Sequence, residues 1–137
     1  MNKSIDNQVE FCFLAEPTDV NFGGKVHGGM VMKWIDQASY ACAAKWSKRY
    51  SVTISANGIR FIRPILVGQM ITVTAQIVHT GRSSMHIYVV VRACDPKEQK
   101  YVVTNRCFIT FMATDESGYP VKVTKYEPQS EEEIKLE

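Results

Sequence analysis

No apolar run in this chain approaches the roughly 20 residues that a membrane-spanning helix needs. The opening residues, MNKSIDNQVE, are polar where a secretory signal would carry its apolar core. Both absences lead to the expectation of a cytosolic protein if the source is bacterial. A strong charge of one sign is also missing. The formal net charge is +2, made of −4 over residues 127–137 and +6 over residues 1–126. A charge that mild and scattered argues against nucleic acid as a partner; it suits a small polyanionic ligand or an ordinary solvated surface equally. The four cysteines, Cys12, Cys42, Cys94 and Cys107, stand 30, 52 and 13 residues apart, with no zinc or redox spacing. They read as reduced, mostly buried small hydrophobes.

Familiar catalytic signatures are missing as well. There is no G-x-S-x-G elbow, no HExxH, no phosphate-binding P-loop and no GxGxxG. The three histidines, His27, His79 and His86, lack ligand spacing, so no metal site and no cofactor are expected. A triad hydrolase, a metalloenzyme and a nucleotide-dependent enzyme all lose support.

What is present is an ordered alternation of elements. Val9, Phe11, Phe13 and Ala15 alternate over Val9–Glu16 and predict a strand, followed by a polar, glycine-bearing loop over Asp19–Lys25. From Gly28 the period changes. Val31, Trp34, Ile35, Ala38, Ala41, Cys42, Lys45 and Trp46 form one stripe of a helix about five turns long, ending near Lys48–Tyr50. Four strands are predicted after it, Thr53–Arg63, Met70–His79, Ser84–Arg92 and Tyr101–Ala113, with turns at Thr80-Gly81 and Asp95-Pro96. Short loops predict that consecutive strands pair as antiparallel neighbours. The fold class expected is α+β: one long helix whose apolar stripe is wrapped by a curved antiparallel sheet of five or more strands. A single domain is expected over residues 1–126, followed by an acidic, flexible tail over 127–137.

One stretch asks for more than folding. NFGGKVHGGMVMKWIDQ, residues 21–37, opens the helix with two glycines and puts an aspartate inside it, both poor helix formers. Glycines at a helix start can expose unpaired N–H groups to an anion or a developing oxyanion. They could equally provide tight packing. Asp36 borders the apolar stripe and could be solvated, structural or catalytic. It lies eight residues from Gly28, roughly 12 Å along the axis. One reacting carbonyl cannot touch both on the same helix, so a real site requires a two-fold dimer with two composite sites.

The pattern Asn21…His27-Gly28-Gly29…Asp36, followed by IRFIRPILVGQ, VHTGRSSMHI and FITFMATDESGYPV, resembles the acyl-CoA thioesterases of the hotdog fold. The similarity runs from about Phe11 to Val121 with the segments in order, and is strongest to the acyl-CoA hydrolase branch that includes YciA-like proteins. This resemblance implies Asp36 as the catalytic carboxylate, Asn21 as a loop residue that holds the reacting groups, and Gly28 and Gly29 as the amides that polarise the thioester. It also implies substrate contacts at His27 and along the Arg82-Ser83-Ser84 turn, where coenzyme A would lie. Arg60 and Arg63 could meet phosphates or form structural ion pairs. Met30, Met32, Trp34 and Tyr40 could line an acyl tunnel or belong to the core.

The implied chemistry is hydrolysis of acyl-CoA. A thiol near pKa ~8.5 in the cysteine reference leaves as a thiolate, so one carboxylate and an oxyanion site can suffice. Asp36 could activate water or attack directly to give a mixed anhydride. Two other readings stand beside it: a hotdog hydroxyacyl-thioester dehydratase using His27, and a non-catalytic acyl-CoA sensor. A homodimer is the minimal active unit expected, within a trimer of dimers, with no membrane partner.

Overall fold

The computed structural model describes residues 7–21 and 23–127. Seven elements follow in order: β1 (Gln8–Leu14), a 3-10 turn (Pro17–Asp19), α1 (Gly28–Ser47), β2 (Tyr50–Phe61), β3 (Met70–Thr80), β4 (Ser84–Cys94) and β5 (Tyr101–Thr114). The expected elements are all present. The short 3-10 turn is an addition: Pro17 presets its first dihedral, and Asp19 Oδ2 accepts the Glu16 N–H at 2.9 Å.

The five strands form one antiparallel sheet in the order β1-β3-β4-β5-β2. This corrects the expectation that consecutive strands pair throughout. β3, β4 and β5 do so, but β2 crosses to the far edge and pairs with β5, while β1 takes the free side of β3. Helix α1 intervenes between β1 and β2, and residues 62–69 carry the chain back across the sheet. A loop of eight residues is long enough for that return, so loop length alone does not dictate pairing.

α1 lies against the concave side of the sheet. Its buried side comprises Val31, Trp34, Ile35, Ala38, Ser39, Cys42 and Ala43. Opposite stand fully covered strand residues such as Ile71, Val73, Ile87, Val89 and Phe111. Burying one such side chain stabilises the fold by about 1.5–3 kcal/mol. The stripe sits slightly to one side of the expected one. Ser39 and Ala43 are buried, while Lys45 stays exposed and its Nζ donates to Gln8 O at 3.1 Å. Ser39 tolerates burial because its hydroxyl donates to Ile35 O within the helix. Trp34 packs edge-on against Phe13 of β1, with ring centroids 4.8 Å apart.

The helix ends at Lys48, whose N–H donates to Ala44 O at 2.8 Å and whose left-handed φ of 57° turns the chain out of the helix. The final described segment returns to the body of the protein: Trp46 Nε1 donates to Thr124 O, and Tyr126 is buried with its N–H on Thr80 Oγ1. The expected tail, apart from Glu127, lies outside the described residues. No helix among the described residues is long and apolar enough to cross a membrane.

The cysteines are free. Cys42, Cys94 and Cys107 are buried, whereas Cys12, on the outward side of β1, is exposed. Burial pushes the Cys42 thiol up to about 12, outweighing opposing contributions from the Ile77 backbone and Lys45, and pushes Cys107 up to about 11. A thiol-specific disulfide reagent at neutral pH should therefore titrate Cys12 promptly and the three buried thiols only after denaturation. Equal rates for Cys12 and Cys42 in the folded protein would contradict this packing.

Candidate active site

α1 begins at an unusually open end. His27 precedes the first turn with an extended backbone (φ −60°, ψ 138°) and makes no side-chain cap bond. Its N–H donates to Asp19 O at 3.0 Å, and its carbonyl accepts the N–H groups of Met30 and Val31 at 3.0 and 3.1 Å. The amides of Gly28 and Gly29 come before these and find no acceptor among the described residues. They form the positive end of the helix dipole.

Packing does not ask for either glycine. A Cβ at Gly29 would meet nothing within 4 Å, and one at Gly28 would make only an ordinary 3.6 Å contact with the Phe61 ring. Neither residue has the left-handed φ that favours glycine. Of the two readings left open by the sequence, tight packing within the protomer loses its basis.

Asp36 is exposed, on the side of α1 nearest β2. Thr53 of β2 donates its hydroxyl to Asp36 Oδ1 across a long 3.4 Å contact. Thr53 stands opposite Phe111, which is buried, so it shares the helix-facing side of the sheet. In the sequence Thr53 is one hydroxyl residue of several in SVTISANG. Only the crossing of β2 over the helix distinguishes it.

Asn21 lies in the loop before the helix, exposed. Its Oδ1 accepts the N–H groups of Gly23 at 2.9 Å and Lys25 at 3.3 Å. Its carbonyl side is thus occupied in shaping the loop, and Nδ2 is the part it can offer a ligand. The Gly81–Ser84 turn joins β3 to β4. A Cβ at Gly81 would stand 2.5 Å from Ser84 Oγ, a contact that rotation of the serine hydroxyl relieves. Arg82 is exposed at the tip, with its carbonyl accepting the Val123 N–H at 2.8 Å; Ser83 O accepts the Ala113 N–H at 2.9 Å.

One protomer does not assemble these residues. The Arg82 turn lies at the end of the sheet where Ser84 pairs with Met112 and Met112 with Val52. Gly28 and Gly29 lie at the other end, beside Phe61, which pairs with Asn105. Asp36 and Thr53 fall between. Lys48 and Arg49 share the Arg82 end, lining a cavity of about 390 Å3 with Tyr40, Tyr50, Asp115 and Glu116.

The other polar candidates separate clearly. His79 and His86 are cross-strand neighbours with ring centroids 5.2 Å apart. His86 alternates with buried Met85 and Ile87, so it occupies the outward face and shares a 3.1 Å hydrogen bond with Thr110. Desolvation, and then the charge of His79, lower its pKa. Among the described residues no group of three or more His, Cys, Asp or Glu side chains could hold a metal ion. Trp34 belongs to the core, Met30 and Met32 pack partly against it, and Tyr40 is exposed one turn beyond Asp36.

Comparison with known proteins agrees with this architecture. The model of the thioesterase superfamily matches residues 23–100, more than half of the chain. The Helicobacter pylori protein VdlD is 35% identical over 123 residues, covering 90% of this chain and 70% of that protein. A hexameric acyl-CoA thioesterase superposes with a TM-score of 0.93 at 33% identity, covering 97% of this chain and 85% of that one. The Staphylococcus aureus acyl-CoA hydrolase, solved with butyryl coenzyme A and coenzyme A, superposes with a TM-score of 0.90 at 26% identity, covering 97% and 81%. That enzyme has also been solved with single alanine replacements of an asparagine, an aspartate and a threonine. A helix cradled by this five-stranded sheet, matched along nearly its whole length by solved acyl-CoA hydrolases, makes the chain a member of the thioesterase superfamily with the hotdog fold.

Proposed function

We propose that this protein hydrolyses acyl-CoA thioesters to a carboxylic acid and coenzyme A, in composite sites formed by two protomers. The observation that carries the reading is the pair of open amides at Gly28 and Gly29, on glycines that nothing in their own protomer requires. A thioester carbonyl bound there would have its developing negative charge met by the helix N-terminus. The carboxylate needed for attack lies roughly 12 Å down the same helix, and must therefore come from another copy.

The free edge of β2 supplies the means. β2 is 12 residues long, pairs on one side only, and exposes Tyr50, Val52, Ile54, Ile59 and Phe61. An exposed apolar edge of that length is a template for another strand. If β2 pairs antiparallel with its symmetry mate about Asn57, Thr53 stands opposite Phe61 of the partner subunit. Asp36, beside Thr53, then approaches Gly28 of the partner subunit, beside that Phe61. The Arg82, Lys48 and Arg49 end of one protomer is drawn toward the same carbonyl, where cations can meet the phosphates of coenzyme A.

In this arrangement Asp36 deprotonates water, Thr53 orients its carboxylate, and the Nδ2 group of the partner's Asn21 holds the carbonyl or the water. Direct attack by Asp36 remains the second chemical route, through a mixed anhydride. The three residues replaced in the S. aureus enzyme stand 15 and then 17 residues apart, the spacing of Asn21, Asp36 and Thr53 here. That correspondence supports the assignment and adds Thr53 to it. His27, Ser83 and Ser84 border the substrate path. No cofactor enters the scheme, and the leaving thiolate needs no strong general acid. A trimer of such dimers is the assembly we favour, in line with the hexameric relative, and buried free thiols fit the cytoplasm.

Three measurements test the scheme. Thiol release from an acyl-CoA panel should fall by about 10²–10⁴ in Asp36→Ala and Asp36→Asn, with KM little changed; wild-type rates in either would remove Asp36 from the mechanism. Gly29→Ala should keep its melting temperature, since the new methyl meets open space, yet lose up to about 10²-fold in kcat by crowding the carbonyl. Ile54→Lys at the β2 edge should give a folded monomer by light scattering that releases no thiol. An active monomer would refute the composite site.

A further inference from the structure

A cavity of about 200 Å3 adjoins the helix start, bounded by Val26, Gly28, Val31, Phe61, Ile65 and Asn105. Its wall is apolar apart from Arg63 and Asn105. Asn105 sits on β5 opposite Phe61 and Val91, on the helix-facing side of the sheet, and is only 3% exposed. Its Oδ1 is buried without a hydrogen-bond partner among the described residues. Among the described residues Ser51 Oγ, at the other end of the sheet, shares this state, whereas Asn7 Nδ2 donates to Ile77 O and the neighbouring Thr104 hydroxyl donates to Val91 O. A buried amide oxygen without a partner beside an apolar wall is a standing loss of stability and calls for a reason.

Resting on the hydrolysis reading, we propose that this cavity receives the acyl group of the substrate and that Asn105 selects a short acyl group bearing a hydroxyl. The carbonyl bound at Gly28 and Gly29 lies at the cavity mouth, because Gly28 is itself part of the wall. The substituent next to that carbonyl enters an apolar space. Coenzyme A, with its phosphates, leads away toward the Arg82, Lys48 and Arg49 side chains of the partner subunit. The volume exceeds the roughly 150 Å3 of an apolar cavity that holds benzene, which suits a short or compact acyl group and not a long chain.

The hydroxyl follows from the amide. A half-turn of the Asn105 carboxamide exchanges its oxygen and nitrogen with almost no change of shape. Whichever amide atom faces the cavity finds a partner in a hydroxyl, which both donates and accepts. An unsubstituted acyl chain would leave the amide unpaired in a drier site, so discrimination arises from that unmet hydrogen bond.

The experiment compares kcat/KM for 3-hydroxybutyryl-CoA, butyryl-CoA and palmitoyl-CoA in wild type, Asn105→Leu and Asn105→Thr. Wild type should favour the hydroxylated substrate over butyryl-CoA by at least about tenfold, the effect of one good hydrogen bond, and should use palmitoyl-CoA poorly. Asn105→Leu should abolish or reverse the preference, and Asn105→Thr should retain part of it. A wild-type ratio near one, or a ratio unchanged in Asn105→Leu, would overturn the proposal and leave Asn105 to a structural water. Because the ratio is first measured on wild type, a misfolded variant does not spare the proposal. Hydrolysis of no acyl-CoA at all would instead overturn the thioesterase reading on which it rests.

Discussion

Everything in this protein hangs on how α1 is buried. One side of the helix, from Val31 to Ala43, fills the concave sheet and is lost to solvent. The start of the helix and the side bearing Asp36 remain exposed toward the β2 edge. A helix committed to the core in this way is held rigidly along its length, so the amides at one end and the carboxylate in the middle keep a fixed separation. That rigidity is what an oxyanion site needs, since its donors must be oriented before charge develops.

In the mechanism proposed above, the same geometry makes each protomer insufficient. A separation of roughly 12 Å along a rigid rod cannot be closed by side-chain movement. Chemistry at one carbonyl then demands two helices, and a two-fold axis is the simplest operator that supplies them. β2 carries the complementary need. Its unpaired edge and exposed Tyr50, Val52, Ile54 and Phe61 call for another strand. The proposed mechanism and the incomplete sheet thus ask for the same partner, a second copy of this chain.

Burial also sorts the polar side chains by use. Cys42 and Cys107 are pushed out of the nucleophilic range by their surroundings and serve as packing. His86 has a threonine partner on the outward face. Asp36 and Asn21 are exposed and set at the margins of α1, where a ligand can reach them. Asn105 fits neither group, being buried without a partner beside the glycine amides.

Much of this was legible in the amino-acid order because it depends on near neighbours. The helix from Gly28 declares itself through a 3.6-residue stripe, and β3 through the alternation of Ile71, Val73, Ala75 and Ile77, since each pattern reflects one element meeting one apolar face. His27-Gly28-Gly29 and Asp36 stand out for the opposite reason, as residues that local folding does not favour. Strand order was not legible: whether β2 lies beside β3 or beyond β5 depends on contacts between residues almost 60 positions apart, such as Thr53 and Phe111. Thr53 and Asn105 take their significance from that order alone. One becomes the neighbour of Asp36, the other the wall of a cavity under the helix start, because a crossing strand and a packed helix bring them there. Residue order sets the elements and marks the suspect residues. Packing brings some of them into one space, because proximity between distant segments does not follow from any period along the chain.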